Sequence, residues 1–459
     1  MDISIILAAG EGTRMKSKLP KVLHKICGKP ILEYVIDASN DANVQINVVI
    51  VGHGGDKVKD YLKDKDVYFE NQPIGEDVPY GTGFAVMQGL KHIEEDSTVV
   101  ILCGDIPLIT KETINKLLDY HKKDEYHCTV LTAILDNPAG YGRIIRDKNG
   151  NIAKIVEQKD ANEEERLVNE INTGVYCFTG KLLKYGLEKI DSNNAQGEFY
   201  LTDVVEILVN EGYNVGAHII EDSTEINGIN NRVQLSFCEK IMRKRINEEH
   251  MLHGVTLINP DTTYIEKGVI IGSDTIIYPN TFIEGNTIIG NSCLIRSNSR
   301  IINSKIDDEV IIESSLIEDS IVKSGTKIGP NAHLRPNSHL GKNVKIGNFV
   351  ETKNSTIGDN SKAGHLAYIG DAVIGSNVNI GCGVIFVNFN GKDKQISYVG
   401  DNAFIGSNSN LVAPVNIQDW AYIAAGSTIN KDVEEGALSI ARAQQVNKLG
   451  WVEKKGFKK

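Results

Sequence analysis

The sequence predicts an α/β protein in two parts, a doubly wound parallel sheet followed by a parallel β-helix. Up to about residue 225, short β-branched runs such as Ile3–Leu7, Val48–Val51 and Val99–Leu102 alternate with helical patterns. Such alternation is typical of a sheet covered by helices on both faces. From about Leu252, aliphatic residues recur at every sixth position, a period that neither a helix nor a lone strand has.

Composition excludes several classes of protein. The chain has 459 residues, a formal net charge of -11 and 24% charged residues, which allows two or three domains and gives no cationic field for nucleic acid or anionic lipid. No apolar run is long enough for a membrane helix, and the run Ile3 to Ala9 lacks a preceding basic segment and therefore reads as a strand, not a signal peptide. Seven cysteines without a C-x-x-C pair favour reduced thiols. We expect a cytoplasmic protein without a disulfide framework.

The helical patterns Ile31–Ala38 and Ile114–Tyr120 separate the early strands, as in a Rossmann-like domain. Ligands of such sheets bind beyond the carboxyl ends of the strands. A charged, helical stretch then precedes the repeats. We therefore predict a domain at 1–230, a helical linker at 231–251, and a β-helix domain with a C-terminal tail at 252–459.

A glycine-containing loop, Leu7–Met15, directly follows the first strand. Its glycines allow backbone N–H groups to approach an anion. Because the chain as a whole is acidic, the basic cluster that follows suggests a polyphosphate ligand; the alternative is a tight turn beside a solvated basic face. The cluster consists of Arg14, Lys16, Lys18, Lys21, Lys25 and Lys29.

Asp105 stands at the end of the apolar run Val99–Leu102, after Cys103 and Gly104. A single carboxylate in this position suits Mg²⁺, which is commonly held by one or two protein groups together with waters and substrate phosphates. A turn or a helix cap is the alternative interpretation.

The six-residue repeat occupies most of the second half. Each hexad is predicted to form a short strand and a turn, and three hexads close one coil of the β-helix. The glycines expected at the bends are Gly272, Gly290, Gly329, Gly347, Gly375 and Gly406. The three registers are Ile265, Ile271, Ile277, Ile283, Ile289, Ile295 and Ile301; Leu316, Val322, Ile328, Leu334, Leu340 and Ile346; and Val399, Ile405, Leu411, Ile417, Ile423 and Ile429.

The repeat is interrupted where function is expected. It slips by one residue between Ile346 and Ile357, and residues 387–398 are predicted to form an extruded loop. Arg335 and Lys353 are one coil apart, so they are predicted to stack as an anion site. His365 lies two positions after the core position Ala363 and should point outward, as a general base would. The alternative is a β-helix that serves only as a spacer or trimerisation post.

An ordered set of motifs resembles the sugar-1-phosphate nucleotidyltransferases. With the hexapeptide half, the chain is similar to the family of bifunctional bacterial N-acetylglucosamine-1-phosphate uridylyltransferases/glucosamine-1-phosphate N-acetyltransferases, whose β-helix is left-handed and trimeric. The motifs are LAAGEGTRM, Lys21 in KLPKVL, GTG at Gly81–Gly83, GD at Gly104–Asp105, YGRI at Tyr141–Ile144, VEQKDA at Val156–Ala161, NTG at Asn172–Gly174 and GINNR at Gly228–Arg232.

For the first half, the resemblance implies uridylyl transfer from UTP to N-acetylglucosamine 1-phosphate, with Mg²⁺ held by Asp105 and Asn230. Lys21 and Asp105 would be catalytic. From residue types alone, a surface salt bridge for Glu157 and a turn cap for Asn172 remain favoured. The residues implied to bind nucleotide and sugar are Leu7, Ala8, Ala9, Gly10, Arg14, Lys21, Gln72, Gly81, Thr82, Gly142, Glu157, Asn172 and Asn230.

For the second half, the resemblance implies acetyl transfer from acetyl-CoA to glucosamine 1-phosphate, with His365 as the general base. Arg335, Lys353, Tyr368 and Asn379 would bind the sugar phosphate. Cys382, where the family commonly has alanine, would by residue type alone be a small core filler. The residues implied to bind acetyl-CoA are Cys382, Asn388, Phe389, Ser407, Ala425 and Arg442.

The chain departs from the family pattern at four points, of which Cys382 is one and Phe84, where a histidine is usual, is another. Pro79-Tyr80 precedes Gly81 where Gln-Leu is usual, and Phe389-Asn390 replaces Tyr-Asp. Two rival functions are a single-activity sugar-1-phosphate nucleotidyltransferase with a structural or regulatory β-helix, and a catalytically inactive sugar-nucleotide sensor.

Overall fold

Two units of the chain, Met1–Met242 and Arg243–Lys459, have separate hydrophobic cores. The structure is a computed structural model that describes residues 1–76 and 78–457. Residue 77, in the segment before Gly81, and residues 458 and 459 of the tail lie outside the described residues. The domain bounds at 230 and 252 stay a prediction.

The first unit contains a nine-stranded sheet with strand order β11-β7-β10-β6-β1-β4-β5, to which the hairpin β8–β9 is attached through β10. A two-stranded ribbon, β2–β3, lies outside this sheet. The strands are β1 (Asp2–Ala8), β2 (Lys25–Ile26), β3 (Lys29–Pro30), β4 (Ile46–Val51), β5 (Tyr68–Asn71), β6 (Thr98–Cys103), β7 (Cys128–Ile134), β8 (Arg143–Arg146), β9 (Ile152–Val156), β10 (Glu170–Thr179) and β11 (Val215–Ile219).

The sequence predicted a parallel sheet, but the sheet also contains antiparallel pairs, so this part of the prediction is wrong. β10 runs antiparallel to both neighbours, β6 and β7. A parallel return needs a crossover that packs across the sheet. The chain between β7 and β10 instead forms the antiparallel hairpin β8–β9, and its only helix has four residues. β10 therefore returns in the opposite direction beside β7.

Helices cover both faces of the sheet, so the doubly wound arrangement is confirmed. One buried cluster includes Leu32 of α1 and Leu117 of α4, whereas the other includes Val86 of α3, Leu183 of α6 and Val204 of α7. The helices of this unit are α1 (Ile31–Asp41), α2 (Gly55–Tyr61), α3 (Thr82–Met87), α4 (Lys111–Lys123), α5 (Glu163–Arg166), α6 (Gly180–Leu187) and α7 (Thr202–Asn210), with 3-10 turns at Thr13–Met15, Lys21–Leu23, Leu90–His92 and Ser223–Ile226.

Helix α8 (Arg232–Leu252) carries the chain from the first unit into the second, where a short 3-10 turn (Pro260–Thr262) follows. The second unit is a single parallel sheet wound into coils, and α9 (Trp451–Lys454) lies in its tail. Its strands are β12 (Thr256–Leu257), β13 (Thr263–Ile265), β14 (Ile270–Ile271), β15 (Ile276–Ile277), β16 (Thr281–Glu284), β17 (Ile288–Ile289), β18 (Leu294–Ile295), β19 (Arg300–Ile302), β20 (Lys305–Ile306), β21 (Ile311–Ile312), β22 (Leu316–Glu318), β23 (Ile321–Val322), β24 (Lys327–Ile328), β25 (His333–Leu334), β26 (Ser338–Leu340), β27 (Lys345–Ile357), β28 (Lys362–Ile374), β29 (Asn379–Ile380), β30 (Ile385–Val387), β31 (Ser397–Val399), β32 (Phe404–Ile405), β33 (Asn410–Val412), β34 (Val415–Ile417), β35 (Tyr422–Ile423), β36 (Thr428–Ile429) and β37 (Leu438–Ser439).

The predicted parallel β-helix is confirmed because most strands pair in parallel with the strand three places further along the chain, and the long strands β27 and β28 each pair with several strands of the neighbouring coils. One position of the predicted register is wrong. Ile317, fully buried, pairs with Ile301, whereas Leu316 is only partly buried. The sides from Ile301 to Ile306, from Ile312 to Ile317 and from Ile317 to Val322 have five residues instead of six. A strict period of six therefore misplaces the register by one residue.

Asparagine and aspartate, which tolerate a left-handed backbone, form many of the bends. The short side after Ile301 turns at Asn303 with φ 47°, and the one before Val322 turns at Asp319 with φ 41°. Of the six glycines expected at bends, only Gly329 has a positive φ. Others lie where the next coil approaches closely: a Cβ atom at Gly272 would be 2.7 Å from the backbone nitrogen of Asn291.

Replacement of Gly272 by alanine should therefore destabilise the β-helix by about 1–3 kcal/mol, because two of the three nearest obstructing atoms, the nitrogen of Asn291 and the carbonyl carbon of Gly290, belong to backbone and cannot rotate away. The free energy of unfolding of the second unit, obtained by chemical denaturation, measures the effect. Gly364→Ala is the matched control, since nothing lies within 4 Å of a Cβ atom there. Equal stabilities of the two variants would contradict this explanation.

Candidate functional site

The carboxyl ends of β1 and β6 form one wall of a cavity. Leu7 of β1 pairs with Cys103 of β6, so the loop after Ala8 and the turn that carries Asp105 leave the sheet side by side. Gly12 has φ 68°, and a Cβ atom there would lie 2.7 Å from Cβ of Lys21. The turn is therefore close enough to Lys21 to fix this lysine at the cavity.

The cavity has a volume of about 320 Å³. It brings together nine residues predicted from the sequence, namely Leu7, Ala8, Ala9, Gly10, Lys21, Gln72, Gly81, Thr82 and Asp105. It also has five lining residues that were not predicted, namely Val22, Tyr80, Ala85, Cys103 and Glu198.

A cluster of polar side chains converges at one end of the cavity. The Lys21 ammonium donates to Oδ2 of Asp105 at 2.6 Å and to Oδ1 of Asn230 at 3.1 Å. Arg14 donates to the same Asn230 oxygen at 3.0 Å. A carboxylate oxygen and an amide oxygen thus face a common point that a cation occupies, in this case the lysine ammonium.

This oxygen pair also fits a hard divalent cation. Among the described residues, no group of three or more His, Cys, Asp or Glu side chains is placed to hold a metal ion. Mg²⁺ does not require one, because it retains several waters and commonly takes one or two protein oxygens. Asp105 and Asn230 supply that number, and both are oxygen donors.

A second group of predicted residues lies where the β8–β9 hairpin meets β10. The backbone N–H of Asn172 donates to the carbonyl of Gly142 at 2.9 Å. A Cβ atom at Gly142 would be 3.4 Å from Oε2 of Glu157 and 3.5 Å from Cβ of Asn172. The absence of a side chain at Gly142 therefore leaves an open surface between the other two residues.

The surface salt bridge considered for Glu157 is absent from the described residues. Burial raises the pKa of Glu157, and the carboxylates of Asp160, Asp203 and Glu198 raise it further. Asn172 does cap a turn, since its Oδ1 accepts from the N–H of Gly174 at 3.1 Å, but it is also 92% buried, with Nδ2 donating to the Tyr176 hydroxyl.

No pattern in the sequence indicated Glu198 and Tyr80 as lining residues, because they are brought to the cavity by a backbone contact between segments more than a hundred residues apart. Gly81 has φ 123°, and any Cβ there would overlap the carbonyl oxygen of Phe199. The backbone of Phe199 donates to the carbonyl of Tyr80 at 2.8 Å. This contact holds the two segments together at the mouth of the cavity.

On the β-helix, His365 is exposed and Ala363 is buried, so the outward orientation predicted for the histidine is confirmed. His365 pairs with Asn348 of the preceding coil. The next coil is in register, with Ala363 opposite Ile380, which places Cys382 beside His365. A column of residues thus begins at the histidine.

This column continues along the β-helix through the residues predicted to contact a coenzyme. The N–H of Asn408 donates to the carbonyl of Cys382 and the N–H of Gly426 donates to that of Ser407, both at 2.8 Å. Arg442 closes the column by donating to the carbonyl of Ala425 at 2.6 Å. Cys382 is exposed and is not the core filler that its residue type suggested, because the position next to a bend points outward.

The predicted stacking of Arg335 and Lys353 is present, since Leu334 pairs with Thr352 in the neighbouring coil. Arg335 donates to Oε1 of Glu351 at 2.9 Å. The ammonium of Lys394, on the extruded loop, lies beside Lys353 and lowers its pKa, and Arg335 lowers it further. Sequence reasoning located the loop but missed Lys394 as a third cation.

A buried network of hydrogen bonds links the extruded loop to the two coils that carry Lys353 and Tyr368. Asn388, 8% exposed, donates from Nδ2 to Asp371 at 2.5 Å and to the Tyr368 hydroxyl at 3.3 Å. Asp371 also accepts from Asn354 at 2.6 Å. Phe389 is 56% exposed at the tip side of the loop, and Asn379 is half-buried in β29 opposite Lys362.

Comparisons with known proteins cover almost the whole chain. A family model described as "Nucleotidyl transferase" matches residues 3–225, "Bacterial transferase hexapeptide (six repeats)" matches 268–303 and "GMPPB C-terminal domain" matches 316–397. A protein named "Bifunctional protein GlmU" from Clostridioides difficile (strain 630) is 55% identical over 99% of this chain and 98% of its own length. Proteins of the same name from Alkaliphilus oremlandii (strain OhILAs) and Clostridium botulinum (strain 657 / Type Ba4) are 53% and 51% identical over 99% of both chains.

These matches confirm the predicted fold class in both halves. No helix among the described residues is long and apolar enough to cross a membrane.

The acidic surroundings of Glu157 predict a pH effect on stability. Burial, with the charges of Glu206, Asp191 and Asp160, raises the pKa of Asp203 to about 6. The native state then binds a proton more tightly than the unfolded state, so stability falls as pH rises from about 4 to 6. Asp203→Asn should raise the melting temperature by a few degrees at pH 8 and leave it nearly unchanged at pH 4.

Asp147→Asn is a control of opposite sign. Backbone N–H donors, that of Asn151 first, lower the pKa of Asp147, so its contribution is present near neutral pH and lost as pH falls through the lowered pKa. This variant should be less stable than wild type at pH 8 and equal to it in strong acid. Identical pH profiles for the two variants would contradict the assignment.

Proposed function

The chain belongs to the family of the bifunctional GlmU proteins, and from this membership we propose how its two halves divide the work. The second half transfers acetyl from acetyl-CoA to glucosamine 1-phosphate. The first half joins the product, N-acetylglucosamine 1-phosphate, to UTP and releases pyrophosphate and UDP-N-acetylglucosamine. The observation that carries the proposal is that one chain has two separate groups of cationic and polar side chains. One is the cavity with Lys21, Asp105 and Asn230. The other is the cationic group of Arg335, Lys353 and Lys394 on the β-helix, where the coil next to that of Lys353 carries His365.

In the first half, the residues align and neutralise substrates and provide no nucleophile. The sugar phosphate oxygen attacks the α-phosphorus of UTP while pyrophosphate departs in line. Lys21 and Arg14 are the cations at the end of the cavity and offset the charge of the triphosphate. The Ala9–Gly10 backbone approaches the phosphates, and Gln72, Gly81 and Thr82 line the part of the cavity proposed for the base.

The sugar lies between Gly142, Glu157 and Asn172 in this proposal. The open surface over Gly142 admits the ring, and the Glu157 carboxylate accepts hydrogen bonds from sugar hydroxyls. Orientation of this kind lowers the barrier because the attacking oxygen is held near the phosphorus.

We propose a divalent metal ion, Mg²⁺, as the cofactor, held by the side-chain oxygens of Asp105 and Asn230. When bound, it supplies charge neutralisation to the phosphates. Lys21, which now contacts both oxygens, is then free to face the nucleotide phosphates.

In the second half, His365 removes a proton from the sugar amine as the nitrogen attacks the thioester carbon of acetyl-CoA. The C–S bond breaks, and the departing sulfur takes up the proton that His365 received, so that the coenzyme leaves as a thiol. Arg335, Lys353 and Lys394 hold the sugar phosphate, and Tyr368 and Asn379 complete its binding site. The column from Cys382 through Ser407 and Ala425 to Arg442 accommodates the coenzyme, with Asn388 and Phe389 on the loop beside it.

We further propose that the protein is a cytoplasmic homotrimer assembled through the β-helix. Exposed apolar side chains along its outer surface support an interface, among them Ile270 and Ile288 on neighbouring coils. Tyr422 is also exposed, and its ring stacks on that of the partly buried Phe404. Binding of nucleic acid or insertion into a membrane is not part of the proposed function.

Asp105→Asn should reduce pyrophosphate release from UTP and N-acetylglucosamine 1-phosphate by at least about a hundredfold, since one oxygen ligand loses its charge and Lys21 loses its ion pair. Acetyl transfer should stay within twofold of wild type. Asp37→Asn, which removes the partner of Lys29 and Lys65 outside the cavity, is the control. Equal losses for the two variants would contradict the site.

His365→Ala should give the reverse pattern. Thiol release from acetyl-CoA should fall by about 10²–10⁴-fold, the usual contribution of a general base, while uridylyl transfer is retained. His339→Ala, at another exposed histidine of the β-helix, is the matched control. Near-normal acetyl transfer by His365→Ala would exclude the histidine as the base.

A further inference from the structure

Arg143 is a buried cation without an acidic partner. It is 2% exposed, and no carboxylate among the described residues forms an ion pair with it. Its Nε has no hydrogen-bond partner. Burial lowers the pKa of the guanidinium, as does the like charge of Arg166. A buried charge of this kind is unfavourable for folding, and an apolar side chain of similar volume would commonly serve stability as well.

The hydrogen bonds that Arg143 donates reach two segments of the chain, one through a backbone carbonyl and the other through a side chain. One terminal nitrogen donates to the carbonyl of Tyr141 and the other donates to Oε1 of Gln158 at 2.8 Å. The same Oε1 accepts from the N–H of Gly140 at 3.1 Å. Gly140 and Tyr141 immediately precede Gly142, and Gln158 immediately follows Glu157. The guanidinium therefore joins the two segments that carry Gly142 and Glu157.

The spacing of these two segments matters because Gly142 and Glu157 face each other closely. With only 3.4 Å between a Cβ position at Gly142 and Oε2 of Glu157, a small shift of either segment would close the surface between them.

The other arginine of β8 behaves differently. Arg146 forms an ordinary ion pair with Glu170 at 2.7 Å and is partly exposed.

We propose that Arg143 is a positioning residue for the sugar-phosphate subsite: it clamps the Tyr141 carbonyl and the Gln158 side chain and thereby sets the separation of Gly142 and Glu157. This inference rests on the proposed function, which places N-acetylglucosamine 1-phosphate between those residues. It assigns Arg143 to affinity for the sugar phosphate, without contact to the substrate or to the nucleotide.

The test uses full-length protein and compares wild type, Arg143→Lys, Gln158→Ala, the double variant and the control Arg146→Lys. For each, uridylyl transfer gives KM for N-acetylglucosamine 1-phosphate, KM for UTP and kcat, and acetyl transfer by the same molecule is measured in parallel. Arg143→Lys keeps the charge, but a single ammonium cannot reproduce the planar, two-pronged contact. Gln158→Ala removes the acceptor of the same hydrogen bond. Because Gln158 is only half-buried, this variant tests the clamp even if the Arg143 variants fold poorly.

The expected result is a tenfold or larger rise in KM for the sugar phosphate in both single variants, with KM for UTP and acetyl transfer within twofold of wild type. The double variant should be no more than twofold worse than the more severe single variant, because both act on one contact. Arg146→Lys should leave both KM values within twofold.

Equal changes in both KM values, a loss confined to kcat, or multiplying effects in the double variant would overturn the positioning role and leave Arg143 as a structural residue. Normal sugar-phosphate KM in both single variants would overturn it as well. A wild-type protein that forms no pyrophosphate from UTP and N-acetylglucosamine 1-phosphate would instead overturn the proposed function, and this inference with it.

Discussion

Parallel strand pairing is the constraint on which both sites depend. In the first unit, the register of β1 against β6 makes the glycine loop and Asp105 leave the sheet at the same edge. In the second unit, the pairing of successive coils stacks Arg335 against Lys353 and sets Asn348, His365 and Cys382 in one column. Residues far apart in sequence are thus brought together by backbone hydrogen bonds, before any side chain contributes.

Much of this arrangement could be predicted because the underlying patterns are periodic. The hexad fixes which side chains are buried, so an outward His365 beside a buried Ala363 follows from counting. Counting fails where a side of the coil has five residues, and the register at Leu316 was therefore wrong by one position. The direction of β10 was missed because it depends on how the hairpin β8–β9 folds, which no local pattern reveals.

Side chains contributed by loops were the least predictable part of the candidate sites. Lys394 reaches Lys353 only because the extruded loop turns back onto the wall, and Glu198 reaches the cavity through the packing of Phe199 against Gly81. Both contacts depend on how distant segments pack in the tertiary structure, and the spacing of residues along the sequence does not reveal them. Arg143, although it lies in strand β8, was equally unpredictable: its motif was visible, but its burial and its two acceptors were not.

The central claim is that one chain carries two activities, and the β-helix is the half whose activity its fold does not establish. The most direct measurement is thiol release from acetyl-CoA by the purified wild-type protein, with glucosamine 1-phosphate present or omitted. If the β-helix is an acetyltransferase, release will depend on the sugar phosphate. No release, with pyrophosphate still formed from UTP and N-acetylglucosamine 1-phosphate, would contradict the central claim and reduce the β-helix to a scaffold.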